Sequence, residues 1–106
     1  MILIIGGASM GKQAFGEKHF PDRTLIKDYE ETVLAQLKSG SDPVREAERL
    51  PDDGQVILMT IIGEGIVPLA AEDRLWREKA GEVSQVLAER AEAVYYVTAG
   101  LGQRIK

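Results

Sequence analysis

The chain has 106 residues, 44% of them hydrophobic and 28% charged, with 13 basic against 17 acidic side chains for a formal charge of −4. That length predicts one domain spanning residues 1–106, and the acidic balance argues against a nucleic-acid partner, which selects a basic face. The absence of cysteine excludes disulfides, thiolate metal sites and cysteine nucleophiles together.

In chain order, the apolar run Ile2–Ile5 reads as a short strand buried on both faces. Gly6–Gly7 cuts that run short and no basic segment precedes it, so the run is not expected to act as a signal peptide. A loop, Gly6–Gly11, leads into a helix from about Gly11 to Lys18, stopped before Pro21. Thr24–Lys27 reads as a second short strand. Asp28 is placed to N-cap the next helix, with Glu31 three residues on in capping-box position. Tyr29, Val33, Leu34 and Leu37 form the apolar stripe of that helix, and Gly40 ends it. Ser41-Asp42-Pro43 starts a short helix to about Leu50, and Pro51–Gly54 makes a turn.

Gln55–Ile62 is almost wholly apolar rather than alternating, the pattern of a strand in a parallel sheet. A loop, Gly63–Pro68, follows it. A long helix from about Ala71 to Ala91 carries Trp76, Ala80, Val83, Leu87 and Ala91 on one face. Ala93–Ala99 is a last strand, followed by Gly100 and a polar tail. Strands alternating with helices predict an α/β fold, an open and mainly parallel sheet of P-loop type flanked by helices. No stretch approaches the ~20 apolar residues that span a bilayer, so the expectation is a soluble, cytoplasmic protein with no membrane partner.

Gly6-Gly7-Ala8-Ser9-Met10-Gly11-Lys12 matches the G-x-x-x-x-G-K part of a phosphate-binding loop. Glycines let successive backbone N–H groups converge on phosphate oxygens, and a helix starting at Gly11 adds the positive end of its dipole. Lys12 would reach the outer phosphates and is the candidate catalytic residue. The position after the lysine holds Gln13, where the motif has a Ser or Thr hydroxyl for Mg²⁺. An amide is a poorer match to the octahedron that Mg²⁺ demands. Nucleotide or phosphate binding is therefore expected of Gly6, Gly7, Ala8, Ser9, Met10, Gly11, Lys12 and Gln13, with GTP or ATP as the ligand and Mg²⁺ weakly supported. No side-chain set has metal-ligand spacing. Glu64, between two glycines after the buried strand, is a candidate on the substrate side, at the sheet edge where open α/β sheets bind ligands. A solvated loop carboxylate is its alternative reading. Asp28 could face the same crevice, though N-capping accounts for it. His19 reads as a surface residue at a helix end.

The opening Ile4-Ile5-Gly6-Gly7-Ala8 with Gly11-Lys12, the segment Gly63-Glu64-Gly65-Ile66-Val67-Pro68, then Arg77-Glu78, Ala80-Gly81 and the terminal Gly100–Lys106 resemble one family. That family is the adenosylcobinamide kinase/adenosylcobinamide-phosphate guanylyltransferases of cobalamin biosynthesis. The resemblance covers roughly residues 1–18 and 55–106, with a middle much shorter than in the full-length bifunctional enzyme. It implies a P-loop α/β fold, binding of ATP or GTP, a corrinoid substrate and a homo-oligomer. The implied activity is phosphorylation of a corrinoid side-chain hydroxyl, followed by GMP transfer from GTP. Thr60 and Ile61 stand where the family carries acidic or amide groups, and His19 does not match the family's guanylylated histidine. Two readings stay open: a cobinamide kinase-like transferase, and a relative without catalysis that acts as a nucleotide- or phosphate-binding regulatory or interaction module.

Overall fold

The computed structural model describes residues 1–62 and 71–106, the side chains of residues 71 and 72 apart. The expected Gly63–Pro68 loop, Glu64 included, lies outside the described residues. Five strands are present: β1 (Ile2–Gly6), β2 (Leu25–Ile26), β3 (Val56–Thr60), β4 (Ala93–Thr98) and β5 (Leu101–Arg104). Four helices accompany them: α1 (Lys12–His19), α2 (Tyr29–Lys38), α3 (Pro43–Arg49) and α4 (Ala71–Arg90). The strands form one sheet in the order β2-β3-β1-β4-β5. β1 runs parallel to β3 and β4, β2 runs parallel to β3, and only β5 is antiparallel. This is the α/β fold with a mainly parallel open sheet that the alternating pattern predicts.

β1 is apolar throughout because both of its faces are covered. Met1 and Leu3 enter the cluster formed with Tyr29, Val33, Ala47, Val83 and Leu87 of α2, α3 and α4. Ile2 and Ile4 enter the opposite cluster with Val56, Leu58 and Val97, against which Phe15 and Phe20 of the α1 side pack. The α4 face runs as expected through Ala80, Val83, Leu87 and Ala91, all buried, with Trp76 packed at its edge. Each fully buried Leu or Val side chain contributes about 1.5–3 kcal/mol by removal from water.

Two local expectations are corrected. Asp28 sits at the N-cap of α2 but in the left-handed region, φ 54 and ψ 48, with no side-chain cap bond. That backbone turns its carboxylate away from the first-turn amides, and Asp28 meets Glu31 only through its carbonyl, 2.9 Å from the Glu31 N–H. Side-chain capping occurs at Asp42 instead, whose Oδ1 accepts from Val44 N–H at 3.1 Å and Arg45 N–H at 3.4 Å. The polar tail is the second correction, since Leu101–Arg104 is a strand paired with Tyr95–Thr98. All four of its residues are exposed, so it carries no apolar alternation. Its signal is the turn, in which Ala99 at φ 51 and Gly100 at φ 75 both take the positive φ of a two-residue hairpin. β3 also starts one residue later and ends two residues earlier than the Gln55–Ile62 run; Gln55, just before it, gives its Nε2–H to the Pro51 carbonyl at 2.7 Å.

Candidate functional site

The parallel strands β1, β3 and β4 point their C-terminal ends at one edge, and the loop after β1 opens there. Gly6 closes β1 in a spot with no room for a Cβ, which would run into the Val97 carbonyl of β4. Gly11 stands at the N-cap of α1 with φ 93, a conformation that favours glycine, and a Cβ there would meet Gly100 Cα at 3.0 Å. The loop is tied down at both ends. Ile61 N–H donates to the Gly6 carbonyl at 3.0 Å, and Gly100 N–H donates to the Met10 carbonyl at 2.8 Å. Phe15 N–H takes the Gly11 carbonyl at 3.0 Å and so begins the helix.

A cleft of about 540 Å³ opens on this loop, with Ala8–Ala14 on one side and Lys27, Asp28, Glu30, Glu31, Thr60, Ile62 and Trp76 among the residues opposite. Of the sequence-predicted residues, Ala8, Ser9, Met10, Gly11, Lys12 and Gln13 therefore share one cavity wall. Gly6 and Gly7 do not line it; they shape the turn behind it. Lys12 Nζ donates to the Gly7 carbonyl at 2.7 Å, holding its cationic end across the loop. Burial pushes the Lys12 ammonium below the usual lysine range, and the nearby carboxylates of Glu30 and Asp28 oppose that shift. Gln13 turns its amide outward, its Nε2 giving a bond of 2.7 Å to Glu17 Oε1 one helical turn on. His19 is exposed at the end of α1, its ring 4.3 Å from that of Phe15.

One carboxylate in the cleft wall, Glu30, escapes a reading of residue types alone. Glu30 is only 7% exposed. Its Oε1 accepts the Thr60 N–H at 2.9 Å, and its carbonyl accepts the Trp76 indole N–H at 2.8 Å. One residue thus joins α2 to the end of β3 and to α4. In the sequence Glu30 looks like an ordinary helix-surface acid; its signal is a charged residue directly beside the buried-stripe residue Tyr29. Asp28, for which the sequence offered both the crevice and a capping role, lines the cleft and makes no side-chain cap bond. Among the described residues no three His, Cys, Asp or Glu side chains converge on a metal position, and no helix is long and apolar enough to cross a membrane.

The family model described as CobU, cobinamide kinase / cobinamide phosphate guanyltransferase, matches residues 24–105. That match takes in the short middle segment and begins after the glycine loop, so the reading of the loop rests on its own geometry. A curated relative, the bifunctional adenosylcobalamin biosynthesis protein CobU of Escherichia coli (strain K12), is 33% identical over 93 residues. The aligned region covers 87% of this chain and 49% of that protein, so the chain spans about half the length of the relative.

Proposed function

The chain belongs to the cobinamide kinase / cobinamide phosphate guanyltransferase family, and from that premise we propose that it binds a nucleoside triphosphate at the Gly6–Gln13 loop. Lys12 is the charged contact to the phosphates. The observation that carries this reading is the position of Lys12 and Gly11 at the start of α1, at the C-terminal edge of a parallel sheet, in a cleft of about 540 Å³. The backbone N–H groups of the first turn of α1 and the glycine loop supply donors that the fold does not otherwise consume. Lys12 would exchange the Gly7 carbonyl for a phosphate oxygen, a stronger charge-assisted partner.

The acceptor under this proposal is a corrinoid hydroxyl, in keeping with the relative's name, and the reaction class is phosphoryl transfer. The chain's own residues orient the triphosphate and offset its charge. For Mg²⁺ the donor set in the described cleft is poor. Gln13 gives its amide N–H to Glu17, and Glu30 Oε1 is occupied by the Thr60 amide. Among the described residues Asp28 belongs to no cluster of three or more metal-ligating side chains. The described residues do not fit a dedicated Mg²⁺ cage, and no step is routed through one. Homo-oligomer formation and a cytoplasmic setting belong to the same proposal, as does the extent of the domain over residues 1–106. So does a substrate-side role for Glu64.

Isothermal titration with GTP and ATP, each with and without Mg²⁺, tests the proposal. Binding that weakens about tenfold or more in Lys12→Ala supports it, and no binding by the wild type at millimolar nucleotide sinks it. Gln13, Thr60 and Ile61 favour one second reading, a nucleotide-binding relative without turnover. Phosphorylated product from a corrinoid acceptor and either nucleotide refutes that second reading.

A further inference from the structure

β5 is a strand without a core. All four of its residues are exposed, Leu101 among them, so removal of apolar surface from water contributes little to holding it. Its hairpin instead makes contacts that gather on the glycine loop. The Gly100 N–H, in the turn between β4 and β5, donates to the Met10 carbonyl at 2.8 Å. A Cβ at Gly11 would come within 3.0 Å of the Gly100 Cα. Gly102 lies against the Phe15 ring of α1 so closely that no Cβ would fit, and Gly6 lies as closely against the Val97 carbonyl of β4. The hairpin thus meets the loop at its start, near its end and one turn into the helix that follows. None of Val97, Gly100 and Gly102 lines the phosphate-side cleft.

The loop has a physical need for such support. Ser9 at φ 57 and Gly11 at φ 93 both take left-handed backbone, which costs a serine free energy that a glycine does not lose. Between them Met10 is exposed and belongs to neither core cluster, so burial does not fix the loop. The hairpin, by contrast, is anchored. β4 carries the buried Val94 and Val97 and pairs with β1. Beyond β5, the Ile105 N–H donates to the Val94 carbonyl at 2.8 Å, and Lys106 Nζ donates to the Ala88 and Glu89 carbonyls at 2.8 Å each. An anion site built on a loop binds only as tightly as the loop is preset, because apparent affinity falls with the fraction of molecules in the competent conformation. We propose that the turn of the β4–β5 hairpin braces the phosphate loop, with Gly100 as a positioning residue whose N–H, acting through the Met10 carbonyl, holds the left-handed loop in the conformation that receives phosphate. This rests on the phosphate reading of the Gly6–Lys12 loop, and it makes the affinity of that site depend on a turn lying outside the cleft.

The test replaces the Gly100 amide by an ester, with glycolic acid in place of Gly100, which deletes that one donor and leaves every side chain as it is. The chain has no cysteine, so a synthetic peptide carrying the ester can be ligated at position 99 through a cysteine that is then desulfurised to Ala99. An ester at Ile105 is the control, since it deletes the bond to the Val94 carbonyl in the same hairpin but away from the loop. Hydrogen exchange of the Phe15 amide, which donates to the Gly11 carbonyl at 3.0 Å, reads the end of the loop without any ligand. Calorimetric titration with inorganic tripolyphosphate reads the site. In the Gly100 ester the Phe15 amide should exchange faster and tripolyphosphate should bind roughly two- to tenfold more weakly, the effect of one hydrogen bond lost from the competent loop. The Ile105 ester should do neither at a similar loss of Tm. A Gly100 ester with unchanged affinity or unchanged exchange, or an Ile105 ester that weakens binding as much, overturns the brace and leaves the phosphate reading standing. Failure of the wild type to bind tripolyphosphate overturns the loop reading and takes this proposal with it.

Discussion

Glu30 offers a quantitative check on how the cleft wall is held. Its carboxylate is buried and accepts the Thr60 N–H at 2.9 Å, at the point where β3 ends and the cleft begins. Glu30→Ala leaves that amide without its acceptor, at a cost of about 1–3 kcal/mol. It also removes one buried methylene, Cγ, worth about 0.8 kcal/mol, for a total of roughly 2–4 kcal/mol. Glu30→Gln keeps the shape and an acceptor oxygen and only exchanges a charged bond for a neutral one, a loss of about 1 kcal/mol. For a domain of this size 1 kcal/mol corresponds to roughly 4–8 °C in Tm, so the alanine variant should melt at least about 8 °C below wild type and well below the glutamine variant. Urea unfolding followed by Trp76 fluorescence measures both, since the indole donates to the Glu30 carbonyl and reports on the same corner. If the two variants are equally stable, the hydrogen bond to Thr60 does not hold the corner and the packing account must replace it.

Lys12→Ala should weaken triphosphate binding by roughly 10- to 150-fold, the loss of about 1.5–3 kcal/mol for a charged hydrogen bond, with the circular dichroism spectrum unchanged. Because burial lowers the Lys12 pKa, its proton leaves at lower pH than the ordinary value near 10.4; wild-type affinity should therefore fall in the alkaline range while Lys12→Arg holds its own, as read by titration between pH 7 and 10. Tyr29 carries a pKa raised by burial. Its contribution to folding is intact below the unfolded value of about 10 and is lost as pH rises through the higher folded value. The urea midpoint of wild type should fall further than that of Tyr29→Phe between pH 8 and 11. Gly6→Ala places a Cβ against the Val97 carbonyl and should cost roughly 1–3 kcal/mol of stability by denaturant titration, as overpacking does.

The sheet was legible because its central strands are short apolar runs bounded by glycine and proline, a pattern that only a two-sided burial explains at Ile2–Ile5 and Val56–Met59. The long α4 face was legible for the same reason, with period 3.6 in place of continuity. Elements that carry no burial were not. β5 buries no side chain and is held by backbone pairing to β4, so hydropathy is silent on it. Asp28 shows the limit of local grammar: Asp followed by Glu three residues on predicts a capping box, yet the left-handed backbone at φ 54 removes the side chain from the helix end. The loop was visible as a motif, but its support depends on Val97, Gly100 and Gly102, which lie far from it in sequence and meet it only through the hairpin contact.

The same limit bears on the positions that weaken the case for catalysis. Thr60, the last residue of β3, and Ile61 just beyond it supply no acid at the end of that strand. The folded chain nevertheless brings Asp28 and Glu30 to the cleft from the β2–α2 junction, close enough for both carboxylates to oppose the desolvation of Lys12. Glu30 bonds to the amide of Thr60, one of the residues that lack an acid of their own. Negative charge in the cleft therefore comes from the β2–α2 junction, and its cost or benefit depends on what is bound. Against a bare triphosphate it is repulsive; beside the Lys12 ammonium alone it is stabilising. That sign change is measurable. Asp28→Asn should tighten binding of metal-free triphosphate, and an unchanged or weaker affinity would mean that Asp28 faces away from the phosphates.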